Sequence, residues 1–131
     1  MYDIVMAVDE NEERAAEQVD CLTEMPLDRD DVQVTILHVF IENPEGASVS
    51  QVGSVRHSAT ALEEAGFTVE MHGRTGTPAE EILAEIEGRE SCLVSVGGRK
   101  RSAAGKVIFG STSQSVLRAT DMPVVVSGTP K

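Results

Sequence analysis

Short apolar runs alternate along the chain with segments whose apolar residues recur every three or four positions, and this alternation constrains the fold most strongly. Most runs are rich in β-branched residues, which is typical of strands buried on both faces of a parallel sheet. The third run alternates between apolar and polar residues, which predicts a half-exposed strand at a sheet edge. The five runs are residues 4–8, 32–40, 67–72, 92–96 and 122–127.

Four helices are predicted between these strands. We expect Asn11 to cap the first, because its side chain can accept a hydrogen bond from a free backbone N–H. Thr77 with Glu80, and Ser111 with Gln114, have the spacing of capping boxes at the third and fourth helices. The first two helices carry apolar stripes at helical spacing, which are Ala15, Val19 and Leu22, and then Val52, Val55, Ala59 and Leu62, with Gly66 placed to end the second.

The resulting order is βαβαβαβαβ. Strands joined through helices must run parallel, with right-handed crossovers. The chain therefore predicts an α/β fold with a doubly wound five-stranded parallel sheet, formed as one domain over residues 1–131. Ligands of such folds bind beyond the carboxyl ends of the strands, where the strand order reverses. Asp9 follows the first strand at such an end, and this position favours a role in binding. The alternative is a plain loop carboxylate that the dipole of the first helix stabilises.

The charge balance narrows the possible partners. The chain has 22 acidic and 11 basic residues, a net charge of −11. That excess argues against binding of nucleic acid or an anionic membrane by the whole surface. It is compatible with a merely acidic domain, but we favour adaptation to a salt-rich cytosol, as in a halophilic archaeon. With no apolar run of membrane-spanning length and no basic leader at the N-terminus, we expect a cytoplasmic protein.

Four of the eleven basic residues lie in one stretch, "GGRKRSAAGKVIFGSTSQS", at residues 97–115. Glycines let backbone N–H groups approach an anion, and the start of the fourth helix offers further N–H groups. Hydroxyls and cations complete the usual set of phosphate ligands. The alternative is a solvated loop held against an acidic surface. Its cations are Arg99, Lys100, Arg101 and Lys106.

Other kinds of site are not supported. "AGKVIFGST" has the letters of a P-loop in the wrong order, and the first strand is not followed by the glycine-rich dinucleotide fingerprint. The three histidines lack metal-ligand spacing and are interpreted as structural or surface residues. Cys21 and Cys92 are expected to be buried, reduced thiols. No nucleophile with a paired base is recognisable, so dedicated catalysis is not expected.

The chain resembles the universal stress protein family. The family signature is glycine, two residues, glycine, nine residues, then glycine and Ser or Thr. Gly97, Gly110 and Ser111 match it, whereas Lys100 replaces the middle glycine. The similarity extends to "IVMAVD", "ILHVF", "GTPAEEIL" and "GSTSQSVLRATDMPVVV", and so covers nearly the whole chain.

This resemblance implies a Rossmann-like sheet with strand order 3-2-1-4-5 and a homodimer joined through the last strand. It implies a stress-response module that binds ATP, with or without Mg²⁺, and an unidentified protein partner. Asp9 and Val39 would contact the adenosine end of the nucleotide, and Val96 and Gly97 would contact the ribose and first phosphate. Lys100 would either bind a phosphate or obstruct the nucleotide. The full set of implied binding residues is Ala7, Val8, Asp9, Val39, Val96, Gly97, Lys100, Gly110, Ser111, Thr112 and Ser113.

Three functions therefore remain open at this point. The first is an ATP-binding regulatory module with little or no turnover. The second is a nucleotide-free module of the same fold, in which the basic stretch receives another anion or an acidic partner. The third is a slow ATPase. ATP titration separates the first from the second, and phosphate release separates the third from the first.

Overall fold

A five-stranded parallel sheet forms the centre of the computed structural model, which describes residues 1–90, 92–100 and 110–129. The strand order is β3-β2-β1-β4-β5, as the family resemblance implied. The strands are β1 Tyr2–Ala7, β2 Val32–Phe40, β3 Thr68–Thr75, β4 Cys92–Lys100 and β5 Val124–Thr129. The helices are α1 Glu12–Glu24, α2 Gly53–Glu64, α3 Pro78–Glu87 and α4 Ser111–Ala119.

The helices cover both faces of the sheet, which makes the fold doubly wound. Ile4 and Met6 of the central strand pack into one apolar core with residues of α1 and α2. Val5 faces the opposite core, which holds Ile82 of α3 and Val116 of α4. All three β1 side chains are fully buried. The continuous apolar run of the first strand is therefore explained by burial on both faces.

Four of the five strands differ from their predicted bounds, and β1, for example, runs from Tyr2 to Ala7 rather than over residues 4–8. β3 continues to Thr75 and β4 to Lys100, because each pairs with a neighbouring strand beyond its apolar run. The pairing of β4 with β5 is irregular between Gly97 and Lys100. β5 begins only at Val124.

The predicted helix caps are partly correct. Asn11 caps α1, and its Oδ1 accepts a hydrogen bond from the Arg14 N–H at 2.9 Å. Thr77 is the N-cap residue of α3, but its side chain makes no capping hydrogen bond, so the predicted capping box is wrong. Ser111 was predicted to cap α4 but is its first helical residue, because Gly110 occupies the N-cap position.

Two further expectations can be compared with the structure. Gly66 follows α2 with a φ of 97°, the left-handed conformation expected of a glycine that ends a helix. Cys92 is fully buried, as predicted, whereas the prediction of burial is wrong for Cys21, which is half-buried; both are free thiols. None of the helices in the described ranges is long and apolar enough to cross a membrane.

Candidate functional site

A cleft of about 560 Å³ opens beyond the carboxyl ends of β1, β2 and β4. Its volume lies within the range of small-molecule sites, roughly 300–1,000 Å³. The first turns of α1 and α4 border it, as does the start of α3. The cleft therefore lies on both sides of β1, where the strand order reverses, the usual ligand position in this fold class.

Eight of the eleven residues singled out in the sequence line this cleft: Ala7, Val8, Asp9, Val39, Val96, Gly97, Thr112 and Ser113. Gly110 and Ser111 start α4 immediately before Thr112 but are not among the lining residues. Lys100 ends β4 opposite Thr129, and its side chain lies outside the described part of the chain. Arg101 and Lys106 also lie outside it, as does the side chain of Arg99.

One side of the cleft is an apolar slot. Its residues include Leu37, Val39, Ile82 and Val96, which belong to the core that the sheet forms with α3 and α4. A slot of this kind accommodates a flat apolar group such as a nucleobase.

His38 also lines the cleft, on the face of β2 opposite to Leu37 and Val39. It is buried, and its Nδ1 donates to the Val8 carbonyl at 2.9 Å, since a carbonyl can only accept. Its ring meets that of Phe40 edge-to-face at 4.8 Å. The prediction of a structural role for His38 is therefore confirmed.

Asp9 is held from several directions. Its Oδ1 accepts from the Asn11 N–H at 2.9 Å, and its Oδ2 accepts from Nε and Nη2 of Arg14 at 3.2 and 2.8 Å. Its backbone carbonyl accepts from Ser54 Oγ of α2 at 2.6 Å. The carboxylate therefore shapes the entrance to α1 and also lines the cleft, so both roles weighed for it in the sequence remain compatible.

Gln18 is a cleft residue that the sequence reasoning missed. Its side chain is 98% buried, and Nε2 donates to the carbonyls of Ala7 at 3.0 Å and Ser95 at 3.3 Å. Those carbonyls fix the orientation of the amide, so Oε1 must point the other way. A Cβ placed on Gly97 would lie 3.4 Å from that oxygen. A polar residue three positions after Ala15, on the apolar face of α1, was the available signal.

The two helix starts at the cleft differ in their electrostatics. α1 is capped by Asn11 and carries Glu12 and Glu13 in its first turn. Among the described residues, α4 has no side-chain cap and no acidic residue in its first turn. Ser113 Oγ donates to the Gly97 carbonyl at 3.0 Å, which ties this turn to the end of β4. The start of α4 is therefore the one suited to an anion.

A separate charged network runs along α3, away from the cleft. Glu85 accepts from His72 at 3.1 Å, Arg74 at 3.2 Å and Arg89 at 2.9 Å, and Arg89 also bonds Asp3. Burial raises the pKa of Glu85, but hydrogen bonds from Arg89, His72 and Arg74 outweigh it and hold that pKa below its ordinary value. Burial raises the pKa of the Cys92 thiol, and the nearby positive charge of Arg89, which lowers that pKa, does not cancel the rise.

The fold and cleft define a small, doubly wound α/β domain with a cleft at the carboxyl ends of its strands, and comparison with known proteins assigns this domain to one family. The model of the universal stress protein family matches residues 1–127, so the chain belongs to that family. The universal stress protein Slr1230 of Synechocystis is 28% identical over 95 residues, 72% of this chain and 32% of the relative. A universal stress protein of Mycolicibacterium smegmatis is 29% identical over 80 residues, 60% of this chain and 62% of the relative. The matched region is thus less than two thirds of either relative.

Solved structures support the same fold. A universal stress protein of Archaeoglobus fulgidus has a TM-score of 0.75 at 23% identity, covering 96% of this chain and 98% of its own. The hypothetical protein MJ0577 has a TM-score of 0.70 at 21% identity, covering 99% and 97%. A universal stress protein solved in complex with cAMP has a TM-score of 0.69 at 14% identity, covering 95% of both chains.

Proposed function

We propose that the cleft binds an adenine nucleotide, ATP in particular, and that the bound nucleotide sets the state of a cytoplasmic stress-response module. The observation that carries this proposal is the convergence of eight resemblance-assigned residues on one cleft that ends at the uncapped start of α4. The universal stress protein solved with cAMP supports an adenine nucleotide as the ligand class.

The two ends of the cleft suit the two ends of a nucleotide. The apolar slot at Leu37, Val39 and Ile82 would take the base. The free N–H groups at the start of α4, with the hydroxyls of Ser111 and Thr112, would take phosphate oxygens, with or without Mg²⁺. The described residues have no nucleophile paired with a base in the cleft, so the nucleotide would act as a bound signal rather than a substrate.

The proposal is tested by titrating ATP and inorganic phosphate into the protein by calorimetry. Asp9→Ala should weaken ATP more than phosphate, because the Asp9 carboxylate is assigned to the nucleoside, whereas the phosphate is assigned to the start of α4. Gly110→Val should weaken both by closing the approach to the N–H groups of α4. Gly88→Val at the end of α3, where a Cβ meets no atom closer than 3.9 Å, is the matched control.

Lys100 is tested separately, because it replaces the middle glycine of the signature. If it binds a phosphate, Lys100→Gly should cost about 1.5–3 kcal/mol of ATP affinity, the range for a hydrogen bond to a charged group. If it obstructs the loop, the same change should tighten ATP. No ATP binding by the wild type at millimolar nucleotide, at low and high salt, would contradict the ATP proposal and favour a nucleotide-free partner-binding module. Steady phosphate release from ATP would instead favour a slow ATPase.

We also propose a homodimer joined through β5. β5 is an edge strand, and three consecutive valines, Val124–Val126, make it apolar. Exposed apolar edges promote association and are usually covered, and antiparallel pairing of two copies covers this one with two-fold symmetry. Light scattering at micromolar concentration should give twice the chain mass of 14.0 kDa, whereas a single chain's mass would contradict the dimer.

A further inference from the structure

We propose that Arg14 binds a phosphate of the nucleotide and that Asp9 holds its guanidinium in place until the nucleotide enters. This inference rests on the proposed function and adds a ligand from α1 to the phosphate site. Arg14 is outside the family signature and outside the residues that the resemblance implied.

The position of the Arg14 side chain is the first observation that supports its role as a phosphate ligand. Its side chain lies across Gly97, so that a Cβ on Gly97 would stand 3.6 Å from Arg14 Cδ and 3.7 Å from Arg14 Cβ. The carbonyl of that same glycine accepts from Ser113 Oγ in the first turn of α4. Gly97 is therefore flanked by Arg14 on one side and by the start of α4 on the other. A phosphate at the start of α4 would therefore lie next to the same residue of β4 that Arg14 contacts.

The charges of the residues that line the cleft are the second observation. Among the described residues that line the cleft, Arg14 is the one Lys or Arg, whereas Asp9, Glu10 and Glu42 are acidic. A polyanion entering beside three carboxylates, in a chain of net charge −11, needs a cation close to its phosphates. Arg14 is 30% exposed, so ligand can reach it while the protein restricts its movement.

The hydrogen bonds between Arg14 and Asp9 are the third observation. In this structure, Nε and Nη2 of Arg14 both donate to one oxygen, Oδ2 of Asp9. A guanidinium prefers two parallel hydrogen bonds to separate oxygens, and phosphate offers this arrangement. Transfer of Arg14 to the phosphate would leave Asp9 Oδ2 free to accept from the nucleoside, while Oδ1 keeps its bond from the Asn11 N–H.

A purely structural role for Arg14 makes a different prediction. An ion pair that only steadies the start of α1 would affect all ligands of the cleft equally. A phosphate ligand affects ATP and leaves adenosine, which lacks phosphate, nearly unaffected. The ratio of ATP to adenosine affinity therefore separates the two roles.

The experiment is calorimetric titration of ATP and of adenosine into the wild type, Arg14→Gln, Arg14→Lys and Arg118→Gln. Arg118 is exposed in the last turn of α4 and controls for the loss of one positive charge. Arg14→Gln should weaken ATP by about 10- to 100-fold, as expected for a lost charge-assisted hydrogen bond. Adenosine should bind as before or more tightly, Arg14→Lys should fall between, and Arg118→Gln should match the wild type.

Two results overturn the inference while the proposed function stands. One is wild-type ATP binding that Arg14→Gln leaves unchanged or tightens. The other is an equal loss of ATP and adenosine affinity in Arg14→Gln, which indicates a structural role. If adenosine binds too weakly to measure, equal ATP affinities of Arg14→Gln and Arg118→Gln would overturn the inference. A wild type that binds neither ligand overturns the proposed function and the inference together.

Discussion

Gln18 joins the first and fourth strands beneath the cleft through its hydrogen bonds to Ala7 and Ser95. Its replacement by leucine should destabilise the protein, because the Ser95 hydroxyl and the two carbonyls lose a donor where water cannot easily replace it. The expected loss is about 1–3 kcal/mol in the free energy of unfolding. Urea denaturation measures this loss. The exposed Gln114→Leu is the control, and an equally small effect of both changes would contradict the structural role of Gln18.

The two thiols should differ in reactivity. Cys92 is fully buried beside Arg89, and burial raises its pKa, so little thiolate forms there. Cys21 is half-buried on α1 and open to reagent. A maleimide added to the native protein should modify Cys21 first, with Cys92 reacting only when the chain unfolds. Mass spectrometry of a timed reaction gives the order, and simultaneous labelling of both would contradict it.

At the scale of secondary-structure elements, the N-cap residues Asn11 of α1 and Thr77 of α3 offer a matched comparison. Both N-cap residues have extended backbones, but only the side chain of Asn11 accepts a hydrogen bond from its helix, from the Arg14 N–H. Asn11→Ala should therefore cost about 1 kcal/mol of unfolding free energy, the usual value for a lost cap. Thr77→Ala should cost clearly less. Thermal or urea unfolding of the pair tests this, and equal losses would show that the Thr77 hydroxyl does cap α3.

The Glu85 network on α3 gives stability with a defined pH dependence. Because the pKa of folded Glu85 lies below its ordinary value, ionised Glu85 stabilises the fold above the ordinary glutamate pKa of about 4.3. This contribution is lost as the pH falls through the lower, folded pKa. Glu85→Gln should cost about 1.5–3 kcal/mol at pH 7, the range for hydrogen bonds to a charged group.

The difference in unfolding free energy between the wild type and Glu85→Gln should shrink as the pH falls below the ordinary glutamate pKa and through the lower pKa of folded Glu85. Urea titrations at several pH values measure it. Glu80→Gln serves as control, because Glu80 is an exposed carboxylate in the first turn of the same helix. A difference that is independent of pH would rule out ionisation of Glu85 as its cause.

The elements also show which features were accessible from sequence. β2 was predicted with its observed bounds, because six of its nine residues are apolar and the charged Asp31 directly precedes it. The end of β3 was not, because Arg74 and Thr75 join the sheet by pairing with Val39 and Phe40, and backbone pairing does not require apolar side chains. Local composition determines burial, whereas the neighbouring strand determines where pairing stops.

The same distinction applies to the cleft. Asp9 and Gly97 were predictable, because strand ends of a parallel sheet converge at one edge. Arg14 and Gln18 reach the cleft from the side of α1, and their roles depend on how that helix packs over β4. Helical spacing places them near the buried face but does not identify the strand end that they meet.

At the scale of the whole molecule, the charge of −11 predicts a response to salt. Excess acidic residues repel one another at low ionic strength, and the Debye length falls from about 30 Å at 0.01 M to about 3 Å at 1 M. The thermal unfolding midpoint should therefore rise with sodium chloride over this range. Calorimetry at a series of salt concentrations measures it. A flat or falling midpoint would contradict adaptation to a salt-rich cytosol.

The cleft combines residues from distant parts of the chain, from Ala7 in β1 to Ser113 in α4. Such a cleft is complete only in the fully folded protein, so a ligand that binds it stabilises the entire chain. At a free concentration one hundred times its dissociation constant, that ligand adds about 2.7 kcal/mol to the free energy of unfolding. Proteases that act on unfolded chains would then remove the empty protein faster than the loaded one. The cellular lifetime of the protein, and hence its abundance, would follow the supply of its ligand.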